Sequence, residues 1–532
     1  MQRPDIASIS ARQFDVIVIG GGINGAAIAR DAALRGLAVL LLEKDDFASG
    51  TTSWSTRLIH GGLRYLEHRE FGLVRESLRE RERLLRNAPH LVSPLPLYLP
   101  IFRHSQRGLL TIRAGMIAYD ALSLDKTLPH HQMLSRRETI EALPGISQDG
   151  LKGSAMYYDA QATFPERLVI ENLLDASSTG AVVLNYAKVD RIVAEGGRVC
   201  GVEWTDLLTG ISHEAQSLSI INVTGPWVDD MLAHGGATPG TRPLMGGTKG
   251  THCFLPLPES PPPAIYTEAR SDGRAFFILP WNDVMMIGTT DTRFRGNLDD
   301  VLSTPDERAY LLTETRMLLP GAHIDPASML FSYSGIRPLP NTSAGSESGI
   351  TRKHFVVDHA PSHRGLFSVV GGKLTNHRSL AEHAVNDLCG FLGYPTPGFT
   401  ADRELPGSGV AGAPHRVDPA VRDRLSSLYG RRAERLYGIA TGSPGLLNPL
   451  AAGSAAVPAE LLLAFWDEAA TSLADALIRR MVVAFQPGMG RNIARSAADF
   501  CEKHLDWSAQ RVASELAAYD AALARFQPAS EC

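Results

Sequence analysis

Short runs of apolar residues, bounded by glycines or polar residues, recur between positions 14 and 370. Residues 14–19 (FDVIVI) and 37–42 (LAVLLL) predict strands buried on both faces, because they are apolar at nearly every position. A glycine turn and a segment with helical spacing lie between them, which predicts a βαβ unit with parallel strands and helices on both sheet faces. Three more runs predict strands of the same, sequence-discontinuous sheet: residues 181–184, 218–223 and 366–370.

After a stretch rich in glycine and proline at residues 404–416, the apolar positions take up helical spacing. One stripe follows a capping Ser508 with intervals of 4, 3, 4 and 3 residues: Val512, Leu516, Tyr519, Leu523 and Phe526. Leu473, Leu477 and Met481 form a second stripe. The last part of the chain is therefore predicted to be a separate helical domain.

Composition and charge narrow the class of protein. The chain has 532 residues, more than one hydrophobic core usually serves, and a formal net charge of −5. An acidic balance argues against nucleic acid as a partner. The five cysteines show neither metal-ligand nor disulfide spacing, which predicts no metal site and a reducing, cytoplasmic location.

The chain also lacks the usual signals for secretion or membrane insertion. Its first thirteen residues contain no apolar core of a signal peptide. No stretch reaches the roughly 20 consecutive apolar residues of a spanning helix. These patterns predict neither a secretory leader nor a membrane span, and they leave attachment to a membrane surface open.

Gly20, Gly22 and Gly25 fit the pattern G-x-G-x-x-G directly after the first predicted strand. In this context the glycines permit a tight turn, close approach of a pyrophosphate and close packing of helix on strand. The helix that begins near Asn24 offers free N–H groups to phosphates, and Glu43 is placed to bind ribose hydroxyls. The motif predicts a dinucleotide site; the alternative is a glycine turn that binds nothing.

This motif does not separate NAD from FAD. Residues 49–56 (SGTTSWST) gather hydroxyl groups and small residues in one loop, among them Thr51, Thr52 and Ser53. Such a loop suits the phosphates, ribityl chain and flat ring of FAD, and the alternative is a solvent-exposed polar loop.

Residues 58–68 (LIHGGLRYLEH) resemble the signature of the FAD-dependent glycerol-3-phosphate dehydrogenases of the aerobic, membrane-associated type. Five further blocks are similar and stand in the same order: VTGPW at 223–227, KGTH at 249–252, IGTTD at 287–291, YSGIRP at 333–338 and GGKLT at 371–375. The resemblance is strong over residues 14–400. It is weaker over the helical tail, where LIRR at 477–480 is similar to that family's C-terminal domain.

The resemblance implies an α/β (α+β multidomain) fold: a Rossmann-like FAD-binding domain, a substrate domain with an antiparallel sheet, and a C-terminal helical domain. On this basis we assign residues 1–90, 165–232 and 346–400 to the FAD-binding domain. The other segments are a substrate- or membrane-facing insertion, the substrate domain and the helical domain, at 91–164, 233–345 and 401–532 respectively.

The same resemblance implies a reaction. The family oxidises sn-glycerol 3-phosphate to dihydroxyacetone phosphate by hydride transfer from C2 to FAD N5, and electrons then pass to membrane quinone (ubiquinone or menaquinone). It implies a cytoplasmic protein that attaches peripherally to the inner face of the membrane. The partners expected are therefore glycerol 3-phosphate, quinone and lipid, with a homodimer left open.

Site residues follow from the resemblance as well. Arg64, Tyr65 and Lys373 would line the phosphate end of the substrate, whereas His252 and Arg337 would lie nearer the reacting hydroxyl. Beyond the glycine motif and the hydroxyl-rich loop, FAD contacts are implied at eight positions: His60, Gly61, Gly62, Gly225, Gly372, Lys373, Leu374 and Thr375.

The two residues near the hydroxyl differ in chemistry. Arg337, expected on a constrained turn between Gly335 and Pro338, keeps its proton and is suited to stabilise a developing alkoxide. His252 is the better candidate for the catalytic base, because an imidazole ordinarily titrates near neutrality.

Each cation also has a purely structural alternative. Arg64 could form an ion pair with Glu67 or Glu70, His252 could be a satisfied core histidine, and Lys373 could be solvated. Because a non-catalytic flavin-binding scaffold has no need for such a set of cations, we favour an enzyme.

Residues 95–117 mix large apolar groups with Arg103, His104, Arg107 and Arg113. Such a segment either enters the lipid interface or is a buried segment with snorkelling arginines. Among enzymes, the competing interpretations are a soluble glycerophosphate oxidase that uses oxygen, and an amine or amino-acid oxidase of the same superfamily.

Overall fold

The computed structural model describes residues 1–67, 69–237, 242–341, 350–414 and 416–527. The domain boundary predicted at residue 345 and the end of the predicted helical domain, 528–532, lie outside the described residues. The described strands are β1 (Gln13–Phe14), β2 (Val16–Ile19), β3 (Val39–Leu42), β4 (Leu58–Ile59), β5 (Val92–Phe102), β6 (Gln132–Ser135), β7 (Leu151–Ala162), β8 (Val182–Leu184), β9 (Ala187–Glu195), β10 (Arg198–Asp206), β11 (Ile211–Ser217), β12 (Ile220–Asn222), β13 (Thr248–Pro256), β14 (Ala264–Glu268), β15 (Ala275–Trp281), β16 (Val284–Gly288), β17 (Thr292–Arg293), β18 (Phe331–Arg337), β19 (Phe355–Asp358) and β20 (Leu366–Val370).

Helices separate these strands and make up the C-terminal region. They are α1 (Ile6–Ser10), α2 (Ile23–Leu34), α3 (Phe71–Asn87), α4 (Leu109–Ala121), α5 (Arg136–Ala142), α6 (Pro165–Ser178), α7 (Val228–His234), α8 (Pro305–Leu318), α9 (His377–Leu392), α10 (Pro419–Tyr429), α11 (Ala433–Ile439), α12 (Pro458–Asp467), α13 (Arg491–His504) and α14 (Ala509–Leu523). No helix of the described part of the chain is at once long and apolar enough to cross a bilayer.

The first sheet has the strand order β19-β20-β12-β2-β3-β8. Its pairs are parallel except β19 with β20. The five apolar runs predicted as strands all contribute to it, which confirms the discontinuous α/β sheet. Helices α2, α6 and α9 pack on one face. Helices alone were predicted to cover the opposite face as well. Instead, a second sheet covers it together with α7.

This second sheet has the order β1-β11-β10-β9 and was missed by the sequence pattern. Its strands β9–β11 alternate buried and exposed side chains, so they lack the continuous apolar runs on which the prediction relied. Residues 187–217 therefore form a layer against the dinucleotide-binding sheet rather than part of it.

The third sheet is large and mostly antiparallel, with the path β17-β13-β16-β15-β14-β5-β7-β4 and with β18 and β6 alongside. Strands β5–β7 come from the segment predicted as an insertion, and β13–β18 come from the predicted substrate domain. Both segments build one sheet, because β5 pairs with β14 as well as with β7. The antiparallel sheet implied by the resemblance is confirmed in outline.

The C-terminal region is helical, as predicted. The Ser508 hydroxyl caps α14 by accepting a hydrogen bond from the Arg511 N–H, and Val512, Tyr519 and Leu523 are buried along that helix. Of the second predicted stripe, Leu477 lies in a π-helical turn at Asp475–Arg480, and Leu473 and Met481 flank it; the Met481 N–H donates to the Ala476 carbonyl. Both stripes pack into a core shared with the large sheet.

Candidate active site

The glycine motif forms a tight turn between β2 and α2. Gly20 has φ +115°, and a Cβ on Gly25 would lie 1.9 Å from the Gly20 carbonyl oxygen, so both positions require glycine. Glu43 extends from the end of β3 and accepts hydrogen bonds from the N–H groups of Gly21 (2.6 Å) and Asp45 (2.9 Å). The turn therefore has the close approach and the carboxylate that a dinucleotide requires.

A second glycine turn faces the first. Gly371 and Gly372 follow β20 with φ of +83° and +100°, and a Cβ on Gly372 would lie 3.2 Å from the Asn24 Nδ2 atom. The Asn24 Oδ1 atom is buried, and no described residue forms a hydrogen bond with it. An open cradle lined by an unsatisfied amide oxygen fits an extended ligand that spans both turns, as FAD does.

Most hydroxyl groups of the loop at residues 49–56 form hydrogen bonds within the protein. Thr51 donates to the Ile336 carbonyl and Ser53 donates to the Ala48 carbonyl. Thr52 accepts from the Ile23 N–H at the start of α2, so its own proton stays available as a donor. Cofactor contacts through these three side chains remain a prediction, and Thr52 has the best geometry for one.

All five residues predicted to bind or transform the substrate line one cavity of about 910 Å³. They are Arg64, Tyr65, His252, Arg337 and Lys373. Six predicted FAD contacts besides Lys373 line the same cavity: Thr51, His60, Gly62, Gly372, Leu374 and Thr375. The other nine predicted contacts lie outside its lining: Gly20, Gly22, Asn24, Gly25, Glu43, Thr52, Ser53, Gly61 and Gly225. Gly225 lies at the turn that follows β12, and the Gly61 N–H donates to the Tyr119 hydroxyl.

Arg337 ends strand β18 rather than lying on a turn, which corrects the expectation drawn from its glycine and proline neighbours. Its guanidinium donates to Asp291 (3.0 Å) and to the Thr289 hydroxyl (2.9 Å). Gly250 leaves the space for it, since a Cβ there would lie 2.4 Å from Nη2. Burial lowers the pKa of Arg337 to about 10 while Asp291 opposes the shift, so the group is cationic at neutral pH.

His252 lies in β13 opposite Tyr333 of β18 and is 2% exposed. Its Nε2 atom is 2.9 Å from the Thr56 hydroxyl, whereas Nδ1 is buried without a partner among the described residues. Burial lowers the pKa of His252 to about 3, and Arg337 and Arg57 contribute to the shift. The imidazole is therefore neutral through the physiological range and does not titrate near neutrality as the sequence suggested.

Lys373 precedes the helical turn that leads into α9, and it is half-buried. Its Nζ atom donates to the Ser77 hydroxyl (2.7 Å) and lies 4.8 Å from the centre of the Tyr65 ring. Burial lowers the pKa of Lys373 to about 7; Glu76 opposes the shift and Arg352 adds to it. The amine thus changes its charge within the working range of an enzyme.

Arg352 is a cavity cation that the sequence analysis missed. Its guanidinium lies 3.6 Å from the Asp291 carboxylate, on the oxygen not bonded to Arg337, and its side chain is 15% exposed. Asp291 thus stands between two guanidinium groups. Arg352 belongs to none of the blocks that resemble the family, and only its place two strands before the Gly371 turn would have indicated it.

Comparisons with known proteins agree with this geometry. Residues 15–378 match the family described as FAD dependent oxidoreductase, and residues 369–512 match the C-terminal domain of alpha-glycerophosphate oxidase. A glycerol-3-phosphate dehydrogenase of Synechocystis sp. is 41% identical over 529 residues, 95% of each chain. An aerobic glycerol-3-phosphate dehydrogenase of Staphylococcus epidermidis is 33% identical over 81% of this chain and 80% of that one. The structure of a Bacillus halodurans glycerol-3-phosphate dehydrogenase complexed with FAD superimposes with a TM-score of 0.79 at 27% identity, covering 99% of this chain and 97% of that one.

Proposed function

The chain belongs to the family of FAD-dependent oxidoreductases that includes glycerol-3-phosphate dehydrogenases, and on that premise we propose that it oxidises sn-glycerol 3-phosphate to dihydroxyacetone phosphate. Bound FAD would supply the hydride acceptor, its N5 atom, for the hydrogen that leaves substrate C2. The observation that carries the proposal is the group of cations in the cavity beside the flavin-binding turn: Arg64, Arg337, Arg352 and Lys373.

The phosphate of the substrate is held by Arg64, Arg352 and Lys373, with Tyr65 beside them. A phosphate dianion carries three acceptor oxygens, and arginine guanidiniums match that geometry with paired donors. Lys373 adds a point charge that is already oriented by Ser77 and the Tyr65 ring. Binding through the phosphate fixes the rest of this small substrate, which positions C2 for reaction.

The hydroxyl end is served by Arg337 and His252. Arg337 stays charged and is held by Asp291 and Thr289, so it stabilises negative charge that develops on the substrate oxygen. The proton leaves through the Thr56 hydroxyl to His252 Nε2, which requires the tautomer with hydrogen on Nδ1. Because His252 is neutral throughout the working pH range, the test is the rate itself: an unchanged kcat in His252→Gln would exclude this base.

The decisive experiment is anaerobic. We expect addition of glycerol 3-phosphate to the FAD-loaded protein to bleach the visible flavin spectrum, and glycerol without phosphate to bleach it far less. The difference follows from the phosphate-binding cations. Absence of bleaching with glycerol 3-phosphate and other polyol phosphates would overturn the assignment, and bleaching by glycine or sarcosine instead would favour an amine oxidase.

The pH dependence of kcat/KM is expected to report on Lys373. Because burial lowers its pKa to about 7, the free enzyme has a charged amine below that pH and a neutral one above it. We expect kcat/KM to fall about 10- to 100-fold as the pH rises through 7, because the neutral amine loses one charge-assisted contact to phosphate.

Two variants separate this effect from titration of other groups. Lys373→Met should show the low kcat/KM at every pH, without a step near 7. Lys373→Arg keeps the charge and should retain high kcat/KM above pH 7. A step near pH 7 that persists in Lys373→Met would assign the titration to another group.

Membrane quinone is the acceptor that we propose. The cavity reaches Ile112 and Gly115 on the inner side of helix α4, whose outer side exposes Leu110 (83%) and Ile117 (54%). Leu124 and Phe71 are also exposed at 81% and 50%, and Arg113 on α4 is exposed. An apolar surface with cations suits the interface of an anionic membrane, where an apolar quinone would be available. The first part of residues 95–117 belongs to strand β5, and within this range the exposed apolar side chains lie on α4.

Vesicle flotation tests the membrane surface. We expect the protein to float with vesicles that contain anionic lipid, and Leu110→Glu combined with Ile117→Glu to lower binding more than tenfold, since burial of each side chain contributes about 1.5–3 kcal/mol. The matched control is Leu208→Glu, an exposed leucine on the β10–β11 hairpin of the second sheet, which should float normally. Retention of the unmodified protein in the soluble fraction at low salt would exclude the proposal.

Oxygen is the alternative electron acceptor. The match of residues 369–512 to a domain named for an oxidase supports this alternative. Oxygen consumption with peroxide formation during turnover would indicate an oxidase. Reduction of a quinone analogue without oxygen uptake would indicate a dehydrogenase.

A further inference from the structure

The C-terminal helical domain reaches the dinucleotide-binding domain through two consecutive arginines. Arg480 binds the Asp46 carboxylate with both guanidinium nitrogens, Nη1 to Oδ2 at 2.7 Å and Nη2 to Oδ1 at 2.8 Å. The Nε atom of Arg479 donates to the same carboxylate, and so does Asn185 (3.0 Å). The side chains of Arg480 and Asp46 are both 0% exposed.

The two arginines end a π-helical turn, Asp475–Arg480, and both of their long side chains reach the Asp46 carboxylate. Such turns are rare and occur often at functional sites. Asp475 orients Arg479 by accepting from its Nη2 atom (2.8 Å).

Asp46 lies in the loop that forms one wall of the predicted dinucleotide site. Three residues earlier, Glu43 accepts the Asp45 and Gly21 N–H groups. One residue later, Phe47 packs on Gly21, where a Cβ would lie 2.8 Å from its ring. The Ala48 N–H then donates to the Gly21 carbonyl (3.1 Å). The loop at residues 43–48 therefore folds directly over the glycine turn, and Asp46 is its anchor.

We propose that Arg479 and Arg480 are positioning residues for FAD, through which the C-terminal domain holds residues 43–48 in the conformation that binds the adenosine half of the cofactor. The two arginines do not touch FAD; they act through Asp46 on Glu43 and the Gly20–Gly22 turn. The inference rests on the FAD assignment alone, so it does not depend on which substrate the enzyme oxidises or which acceptor it uses.

The electrostatics agree with a fixed anchor. The arginines Arg480 and Arg479 hold the pKa of Asp46 below its ordinary value, despite the opposing effect of burial. Without them a buried carboxylate would be left unpaired, and the loop would have to move to hydrate it. Movement of this loop displaces Glu43, which is the group placed to bind the adenosine ribose.

Another buried ion pair at the same interface provides the control. Arg167 of α6 binds Glu468 of the C-terminal domain with two bonds, at 2.6 and 2.8 Å, and both side chains are 0% exposed. Among the described residues, neither side chain bonds to the loop at 43–48. The pair meets the anchor only at the backbone, where Arg480 Nε donates to the Glu468 carbonyl (2.9 Å) and Arg167 Nη1 donates to the Arg480 carbonyl (3.4 Å). Loss of Arg167 therefore weakens the attachment of the domain without removing the anchor.

The test measures FAD release from the loaded enzyme, followed as free-flavin fluorescence after dilution. We expect Arg480→Gln to release FAD about 10- to 100-fold faster than the unmodified protein, the equivalent of one or two lost charge-assisted bonds. Arg480→Lys keeps the charge but not the two-point contact, so its release rate should lie between those of Arg480→Gln and the unmodified protein.

Circular dichroism and gel filtration establish which variants are folded. If Arg480→Gln does not fold, Arg479→Gln provides the test, because Arg479 is 13% exposed and gives Asp46 a single bond. Faster release in the arginine variants with normal release in Arg167→Gln would support the proposal. Normal release in a folded Arg480→Gln or Arg479→Gln protein would overturn it, and so would equally fast release in Arg167→Gln.

Discussion

Replacement of Arg337 by methionine is expected to lower kcat by about 10²–10³-fold, the usual cost of removing one preorganised donor from a site that stabilises an oxyanion. The guanidinium is fixed by Asp291 and Thr289 and stays charged at neutral pH, so it needs no rearrangement as charge develops. Anaerobic stopped-flow measurement of flavin reduction isolates this step from the later transfer of electrons to the acceptor.

Arg352→Met is the matched control, because it removes the other guanidinium beside Asp291. We expect it to raise KM with a smaller change in kcat, since phosphate contacts are made equally in the ground state and the transition state. If Arg337→Met leaves the rate of flavin reduction unchanged, Arg337 does not stabilise an oxyanion. If the two variants have the same kinetic effect, the division of the cavity into a phosphate end and a hydroxyl end is wrong.

Removal of Arg57 is expected to have the largest effect on stability. Arg57 is fully buried and binds both oxygens of Glu166 at 2.9 Å, while its guanidinium lies between the rings of Trp281 and Phe485. Arg57→Met leaves Glu166 as an uncompensated buried charge, and we expect the free energy of unfolding to fall by about 3–5 kcal/mol. Guanidinium denaturation followed by tryptophan fluorescence measures the change.

A double variant distinguishes loss of the ion pair from loss of packing. Arg57→Met with Glu166→Leu removes both charges and should be more stable than Arg57→Met alone. Arg137→Met breaks an exposed helical pair with Glu141 and should change stability by less than about 1 kcal/mol. A double variant no more stable than Arg57→Met would show that the cost comes from packing against the two rings.

The central strands and the glycine turn could be predicted from the sequence because their signals are local. Buried parallel strands are apolar at successive positions, and Gly20 and Gly25 stand where backbone geometry excludes a side chain. The cavity that we propose for the substrate was predictable for a different reason. Arg64, His252, Arg337 and Lys373 all lie in blocks that resemble a known family, and the structure brings all four to one cavity.

What escaped the sequence depends on distant packing. Strands β9–β11 carry alternating polar residues that resemble ordinary surface strands, and only the folded chain shows them covering another sheet. Arg352 lies in a segment without a motif, and only the tertiary structure brings it close to Asp291. The low pKa of His252 follows from complete burial beside Arg337, which no pattern in the sequence around it reports.

The anchor at Asp46 has a consequence for how the enzyme is made. Its partner Arg480 is 434 residues further along the chain. At about 5–20 residues per second, a ribosome needs roughly 20–90 s to synthesise the intervening segment. The strands of the dinucleotide-binding sheet are also spread from residue 16 to residue 370. The growing chain therefore cannot hold its cofactor as the folded protein does until translation is nearly complete, and a nascent chain must keep its half-built sheet from aggregating during that time.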